Sequence, residues 1–322
     1  MPEKIKFAII GASGVAPGHI KAIQNNPNAE LVYFYSRDRE RSKNFAKQYG
    51  LIAAATYEQI LSDKNIDAVD IVTEPSRHAE LALMAIQNKK HVLIEKPLET
   101  DMLKAQELVT ESSKVSTITS VISQKRFEPA IKTMKRQLDN RISGDIFLAE
   151  VKMFWHRTSD YYTKGNCWRS QEGNVLINQA IHWIDIAIWF FGFPLKIKSL
   201  NLKVKKEISC YDTAICCLEM PNNVLFNLAC STAVSQSQPD EFIIYGTKGI
   251  LDYGLLKSYS LAARFPYLDK MIHLLKPAKA PLECQIDDFI DSIIKRKAPS
   301  VSCLEALNAL KVIKSCEKNN GE

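Results

Sequence analysis

The strongest constraint on this chain is an alternation. Between residue 4 and about residue 122, short runs rich in β-branched residues take turns with longer amphipathic segments. Strands are expected at "KIKFAIIG", "AELVYFYS", "DAVDIVTE", "KHVLIEK" and "STITSVIS", with a short one at "IAA". The intervening "GHIKAIQNN", "RDRERSKNFAKQYG", "TYEQILSD", "SRHAELALMAIQNK" and "TDMLKAQELVTESS" read as helices. Strands separated by helices must run parallel, because a parallel pair needs a crossover connection. The segment therefore predicts an α/β, doubly wound parallel sheet with helices on both faces, whose ligands bind at the carboxyl ends of its strands.

Beyond residue 123 the grammar changes. A helix at "EPAIKTMKRQLD" precedes a strand at "GDIFLAEVKMFWHR" and a helical stretch "INQAIHWIDIAIWFFG". Then come "LKIKSLNLKVK", "DTAICCLEM", "VLFNLACST" and "EFIIYGTKGILDY", consecutive strands joined by turns such as "MPNN" and "GTKG", the signature of an antiparallel sheet. Two closing helices, "CQIDDFIDSIIKRK" and "CLEALNALKVIKSCEKN", are expected to cover that sheet. The reading is a dinucleotide-type domain over residues 1–122 and an α+β domain over 123–322.

Charge and cysteine content narrow the function classes. The net charge of +6 is small for 322 residues, and acids interleave with bases in "SRDRERSKNFAK", which favours a solvated helix face over a nucleic-acid footprint. The lysines of "KIKSLNLKVKKE" sit at strand spacing and read as the solvent side of a sheet. The longest apolar stretch, "WIDIAIWFFGF", contains Asp185 and is too short to span a bilayer. The start, "MPEKIKFAII", enters a strand without a signal-type apolar region, so a cytoplasmic protein is expected. The eight cysteines form no CxxC pair and no metal-ligand spacing; they read as small buried hydrophobes, and no metal is expected.

Three stretches carry residue types that do chemistry. The first is "GASGVAPGHI", directly after the first strand. Its glycines are Gly11, Gly14 and Gly18, whereas the dinucleotide fingerprint asks for glycine at the positions of Gly11, Ser13 and Ala16. Gly11 suits the tight turn, Gly14 allows close backbone approach, and the amides from Ser13 through Val15 to Ala16 precede a helix whose dipole favours an anion. The second strand ends "YFYSRD", where Ser36 and Arg37 replace the acid that binds a ribose; a hydroxyl and a guanidinium suit a 2′-phosphate and favour NADP. Asp38 keeps NAD open, and Ser36 as a cap of the next helix is an equal reading.

The second stretch is "HVLIEKPLE", with Glu95, Lys96 and Pro97 at a strand's carboxyl end. A lysine there can bind a substrate hydroxyl and stabilise a developing alkoxide, and Pro97 has the option of a cis bond; a plain surface turn is the competing reading. The third runs from Cys167 to Gly192. On a regular helix Asn178, His182 and Asp185 or Ile186 share a face, giving a base and a hydrogen-bonding partner one turn apart, although a lone helical histidine is more often structural than catalytic. Upstream, "WHRTSDYYTKGNCWR" offers Tyr161, Tyr162, Trp168 and Arg169 as residues that stack on and bind a polar ring, or as a long loop closing the core.

Taken together, "GASGVAPGH", "TEPSRH", "KHVLIEKPLE", "GNVLINQAIHWIDIAIWFFG" and "QIDDFIDSII…LEALNAL" resemble the Gfo/Idh/MocA family of NAD(P)-dependent oxidoreductases, nearly end to end. The resemblance implies an N-terminal Rossmann domain and a C-terminal domain with a mainly antiparallel open sheet that commonly mediates homo-oligomers. It implies Lys96 and His182 as catalytic, and cofactor contacts from Gly11, Ser13, Gly14, Val15, Ala16, Ser36, Arg37, Thr73, His78, Glu95 and Lys96. Substrate contacts are implied for Lys96, Tyr161, Tyr162, Trp168, Arg169, Asn178 and His182. The chain departs from the family's pattern at Ser13, at Glu74-Pro75, which replace the usual Pro-Asn after Thr73, and at Asn178, where many members have aspartate.

"APGHIKAI", the "YY…WR" loop and "NQAIH" look most like members that oxidise nucleotide sugars, of the UDP-N-acetylglucosamine (or its uronic acid) 3-dehydrogenase type. Dehydrogenases of free sugars or cyclitols are the nearer competitor. A non-catalytic NAD(P)-binding regulator is the reading from another class, and the presence of both Lys96 and His182 weighs against it.

Overall fold

The computed structural model describes residues 4–163, 167–171, 173–258 and 279–318. The chain divides into two units: residues 1–124 with 280–307, and 125–279 with 308–322.

The first unit holds six parallel strands, β1 (Ile5–Ile10), β2 (Ala29–Tyr35), β3 (Ile52–Ala53), β4 (Ala68–Ile71), β5 (His91–Ile94) and β6 (Thr119–Val121), ordered β3-β2-β1-β4-β5-β6. Helices α1 (Ala16–Asn25), α2 (Arg39–Tyr49), α3 (Tyr57–Ser62), α4 (His78–Gln87) and α5 (Met102–Ser112) make the connections. Strands covered on both faces read as continuous apolar runs, and the buried part of β1 from Phe7 to Ile10 and most of β4, at the centre, do so. Asp70 is the exception, a carboxylate with no solvent exposure in the middle of β4. A buried charge must be paired, so Asp70 announces a partner.

In the second unit the strands are β7 (Ile146–Phe154), β8 (Lys196–Leu202), β9 (Thr213–Met220), β10 (Val224–Ser231), β11 (Glu241–Gly246) and β12 (Gly249–Asp252), ordered β12-β11-β7-β10-β9-β8. Only β7 and β10 pair in parallel; the other four pairings are antiparallel. The helical elements are α6 (Pro129–Asp139), α7 (Ser159–Thr163), α8 (Trp168–Gln171), a π-helical turn at Leu176–Ala180, α9 (Ile181–Phe191) and α10 (Tyr253–Ser258). Trp183 and Phe190 of α9 lie 5.2 and 5.9 Å from the Phe242 ring of β11, so this helix covers one face of the sheet. Across the opposite face Ile250, Tyr245, Leu148 and Leu225 stand in register on adjacent strands, and Ile250 and Leu225 are exposed.

The closing helices are α11 (Pro281–Lys295) and α12 (Cys303–Lys318). Contrary to the expectation that both cover the second sheet, α11 packs in the first unit. Its Ile286, Phe289 and Ile290 join Phe7, Ile9, Ile20 and Ile23 in one core, with the Phe289 ring 6.1 Å from that of Phe7. Gln285 fixes the register by accepting from the Ser123 amide at 2.8 Å and donating to the Val121 carbonyl at 2.9 Å. Each fully buried side chain of this size contributes about 1.5–3 kcal/mol. An amphipathic stripe states only that something apolar covers it, and the cover here comes from β1 and α1, at the other end of the sequence.

One smaller reading also changes. The thiols are not uniformly interior, since Cys217 is exposed on β9. Among the described residues, no helix is long and apolar enough to cross a membrane.

Candidate active site

β1 delivers the chain to Gly11, which has a φ of +115°. A Cβ there would lie 2.8 Å from the Val72 carbonyl and the Thr73 nitrogen, so only glycine lets the turn pass so close to the end of β4. The Gly11 amide donates to the Tyr35 carbonyl at 2.8 Å, and the Ala16 amide turns back to that of Ser13 at 3.2 Å. α1 then starts without a side-chain cap, with Pro17 in its first turn and no acid there. The Ser13 hydroxyl is buried with no hydrogen-bond partner among the described residues, and open space surrounds Gly14 and the exposed Val15. An uncapped helix start beside an orphaned donor and an approachable backbone fits the diphosphate of a dinucleotide.

One turn into α1, His19 supplies the partner that Asp70 requires. Its Nδ1 lies 2.8 Å from Asp70 Oδ2 and its Nε2 3.0 Å from Glu95 Oε1, all three side chains being buried. Burial works against a charged ring, but the charge and hydrogen bond of Asp70, followed by those of Glu95, outweigh it and raise the His19 pKa to about 10. Burial likewise pushes the Glu95 carboxyl up, and its hydrogen bond to His19 and that ring's charge more than reverse this, holding it below the usual carboxylate range. The second Glu95 oxygen accepts the Lys96 amide at 2.9 Å. A hydrogen-bonded line thus runs from Asp70 through His19 and Glu95 to the backbone of Lys96.

The rest of "EKPLE" is held as firmly. The Lys96–Pro97 bond is cis. His78 lies with Nδ1 2.8 Å from the Pro97 carbonyl and Nε2 3.2 Å from that of Thr73. Buried Glu99 accepts the Thr100 amide at 2.7 Å and the Ala79 amide, in the first turn of α4, at 3.2 Å. His78 and Glu95 therefore commit their polar atoms inside the fold, while Lys96 itself is half-buried.

After β2, Ser36 is half-buried and does not cap α2; that role falls to Asp38, whose Oδ1 accepts the Arg41 amide at 3.0 Å. Arg37 is exposed and ion-paired with Glu74.

In the second unit, Asn178 sits in the π turn and His182 in the first turn of α9. The wider turn replaces the regular helix on which the sequence placed Asn178, His182 and Asp185 in one row. Asn178 donates to the Arg169 carbonyl at 3.1 Å, and a Cβ on Gly173 would meet its amide at 2.6 Å. Asp185 is buried and gripped by Arg126 at 2.7 and 2.6 Å through two guanidinium nitrogens. Lys125 stands 4.0 Å over the Trp183 ring and 3.4 Å from Asp240, which also accepts the Trp183 indole at 3.2 Å. Half-buried His182 thus sits on a helix anchored by Trp183 on one side and Asp185 on the other. Sequence reasoning missed Arg126 and Lys125, because Asp185, Trp183 and Asp240, which hold them, lie far away in the chain and no local pattern marks a buried base.

The aromatic stretch forms a layered cluster. The Arg157 guanidinium lies 5.3 Å and that of Arg169 4.8 Å from the Tyr161 ring, with Arg169 also 4.6 Å from Trp168. Gln179 donates to the Tyr161 hydroxyl at 2.7 Å. Tyr162 departs from expectation: it is fully buried, its hydroxyl bonded to Thr232, and burial lifts its pKa to about 12. Its place is in the core, where the Tyr161–Tyr162 edge contact of 5.2 Å holds the cluster down.

Residues 5–123 match the NAD-binding Rossmann domain of the oxidoreductase family Gfo/Idh/MocA, and residues 131–252 match a C-terminal domain of that family. The chain belongs to this family, and its first unit is an NAD-binding domain of an NAD(P)-dependent dehydrogenase. An oxidoreductase of Synechocystis sp. is 27% identical, the match covering 92% of this chain and 89% of that one. The NAD-dependent scyllo-inositol 2-dehydrogenase of Bacillus subtilis is 23% identical over 97% and 93%. The WlbA dehydrogenase of Bordetella pertussis, solved with NADH and UDP-GlcNAcA, superposes with a TM-score of 0.85 at 20% identity, covering 98% of this chain and 96% of that one, a likeness of fold alone.

Proposed function

We propose that this protein oxidises a secondary hydroxyl of a nucleotide sugar, a UDP-N-acetylglucosamine or its uronic acid, at the 3-position. The observation that carries the reading is the cluster of Arg157, Arg169, Trp168 and Tyr161, two guanidiniums within 5.3 Å of one phenol ring whose hydroxyl accepts from Gln179 of the turn leading into α9. Aromatic faces take a sugar or base ring, and guanidiniums take a diphosphate or carboxylate. A free cyclitol has no charge for either arginine. The solved WlbA complex, with a ligand of this chemistry, supports the same choice.

The cofactor, when bound, supplies the nicotinamide that accepts the hydride. Its diphosphate falls to the Gly11–Ala16 turn, with Ser13 donating, and its adenosine end to Ser36, Arg37 and Thr73. His182 removes the hydroxyl proton; a neutral imidazole is a competent base near pH 7. Lys96 orients that hydroxyl and stabilises the alkoxide. Its backbone is fixed through Glu95 by His19, which sets where its side chain starts. Asn178 acts one step back, holding the Arg169 backbone through its carbonyl. Hydride and proton leave the same carbinol, giving a ketone, a reduced cofactor and a protonated His182.

We place the protein in the cytoplasm, a compartment that keeps thiols reduced. The open face of the second sheet, with Leu225 and Ile250 exposed, is where we place self-association into a dimer or tetramer.

Nicotinamide absorbance with a panel of UDP-sugars, free sugars and inositols tests the substrate. Turnover of UDP-sugars and none of inositols is expected; efficient turnover of an unphosphorylated cyclitol alone would contradict the reading. His182→Ala should lower kcat by roughly 10²–10⁴-fold.

A further inference from the structure

The turns after β2 and β4 stand on either side of β1, because the sheet order is β2-β1-β4. From the first, Arg37 extends a guanidinium that is 58% exposed; from the second, Glu74 meets it with a carboxylate that is 30% exposed. The pair therefore bridges the carboxyl end of β1, the strand that leads into the Gly11 turn. Stability does not demand it, since solvated ion pairs contribute little. Asp38, the other acid at this edge, is occupied as the cap of α2.

We propose that Glu74 is a specificity-determining residue: through its pairing with Arg37 it makes this protein select NAD over NADP. Ser36 and Arg37 by themselves suit a 2′-phosphate. That phosphate is close to a dianion, and the guanidinium that would receive it is already neutralised by a carboxylate. The phosphate must displace Glu74 or sit beside a like charge. A ribose 2′-hydroxyl meets no such conflict, because it can donate to the carboxylate while the remaining guanidinium donors stay available. Glu74 thus reverses the preference that the "YFYSRD" segment alone would give.

The inference rests on the NAD-binding assignment of the first unit, so its test reads binding and needs no substrate. Wild type, Glu74→Gln and the double variant Glu74→Gln/Arg37→Gln are titrated calorimetrically with NAD, NADP, 5′-AMP and 2′,5′-ADP, and thermal unfolding is followed with each. Wild type should bind NAD more tightly than NADP. Glu74→Gln should tighten NADP and 2′,5′-ADP by about fivefold or more while NAD stays within about twofold, and the double variant should lose that gain. An unchanged NADP-to-NAD ratio in Glu74→Gln, or a wild type that already prefers NADP, overturns the role of Glu74 alone. Binding of neither cofactor by a folded wild type overturns the use of the turn, and this inference with it.

Discussion

His19 is a base enclosed by two acids where water does not reach, and its protonation is tied to folding. In the unfolded chain it titrates near 6.5, in the fold near 10. The folded state holds the proton more tightly, so this contribution is complete below about pH 6.5 and disappears as pH rises through about 10. A shift of this size corresponds to several kcal/mol in order of magnitude. Urea unfolding at about pH 7 and about pH 10 should show a lower midpoint at the higher pH, and His19→Gln should flatten that dependence. At the same scale, Lys96→Met should reduce kcat by roughly 10²–10³-fold with cofactor binding nearly unchanged, because it removes a stabiliser of developing charge. The places of the Gly11 turn and of Lys96 were legible because they directly follow β1 and β5, and that of His182 because it lies in a long apolar helical stretch. The roles of His19 and Glu95 were not, since a histidine inside an amphipathic helix does not say which carboxylates a distant β4 and β5 will bring to it.

At the scale of elements, α9 shows how a largely apolar helix is oriented. Its hydrophobicity fixes that it is buried; the Arg126–Asp185 fork fixes which way it turns. Removing one member of such a pair leaves an unpaired buried charge, so Arg126→Met should destabilise by about 3–5 kcal/mol in denaturant unfolding. The double change Arg126→Met/Asp185→Leu should recover most of that loss, which a lost contact alone would not allow. The parallel strands of the first unit were plain from alternation because a crossover leaves no other pairing. The π turn at Leu176–Ala180 was not, since "LINQA" has ordinary helical composition and one extra residue per turn leaves no trace in periodicity. α11 was recognisable as an amphipathic helix, but its destination was decided by Phe7 and Ile20, far away in sequence.

Across the whole molecule, two units with separate cores divide the labour we propose: one holds the dinucleotide and Lys96, the other carries His182 and the arginine–tyrosine cluster. The second sheet leaves Ile250, Tyr245, Leu148 and Leu225 in one apolar row. On the self-association we propose for this row, Leu225→Lys should shift the protein to a smaller species in light scattering while leaving its circular dichroism intact. The account as a whole stands on hydride transfer from the sugar's 3-position. The most direct measurement incubates the enzyme with UDP-N-acetylglucosamine and with its uronic acid, each deuterated at that carbon, and weighs the reduced cofactor. Deuterium in the nicotinamide, absent when His182→Ala replaces wild type, is the predicted result; an unlabelled reduced cofactor, or none from either sugar, would contradict it.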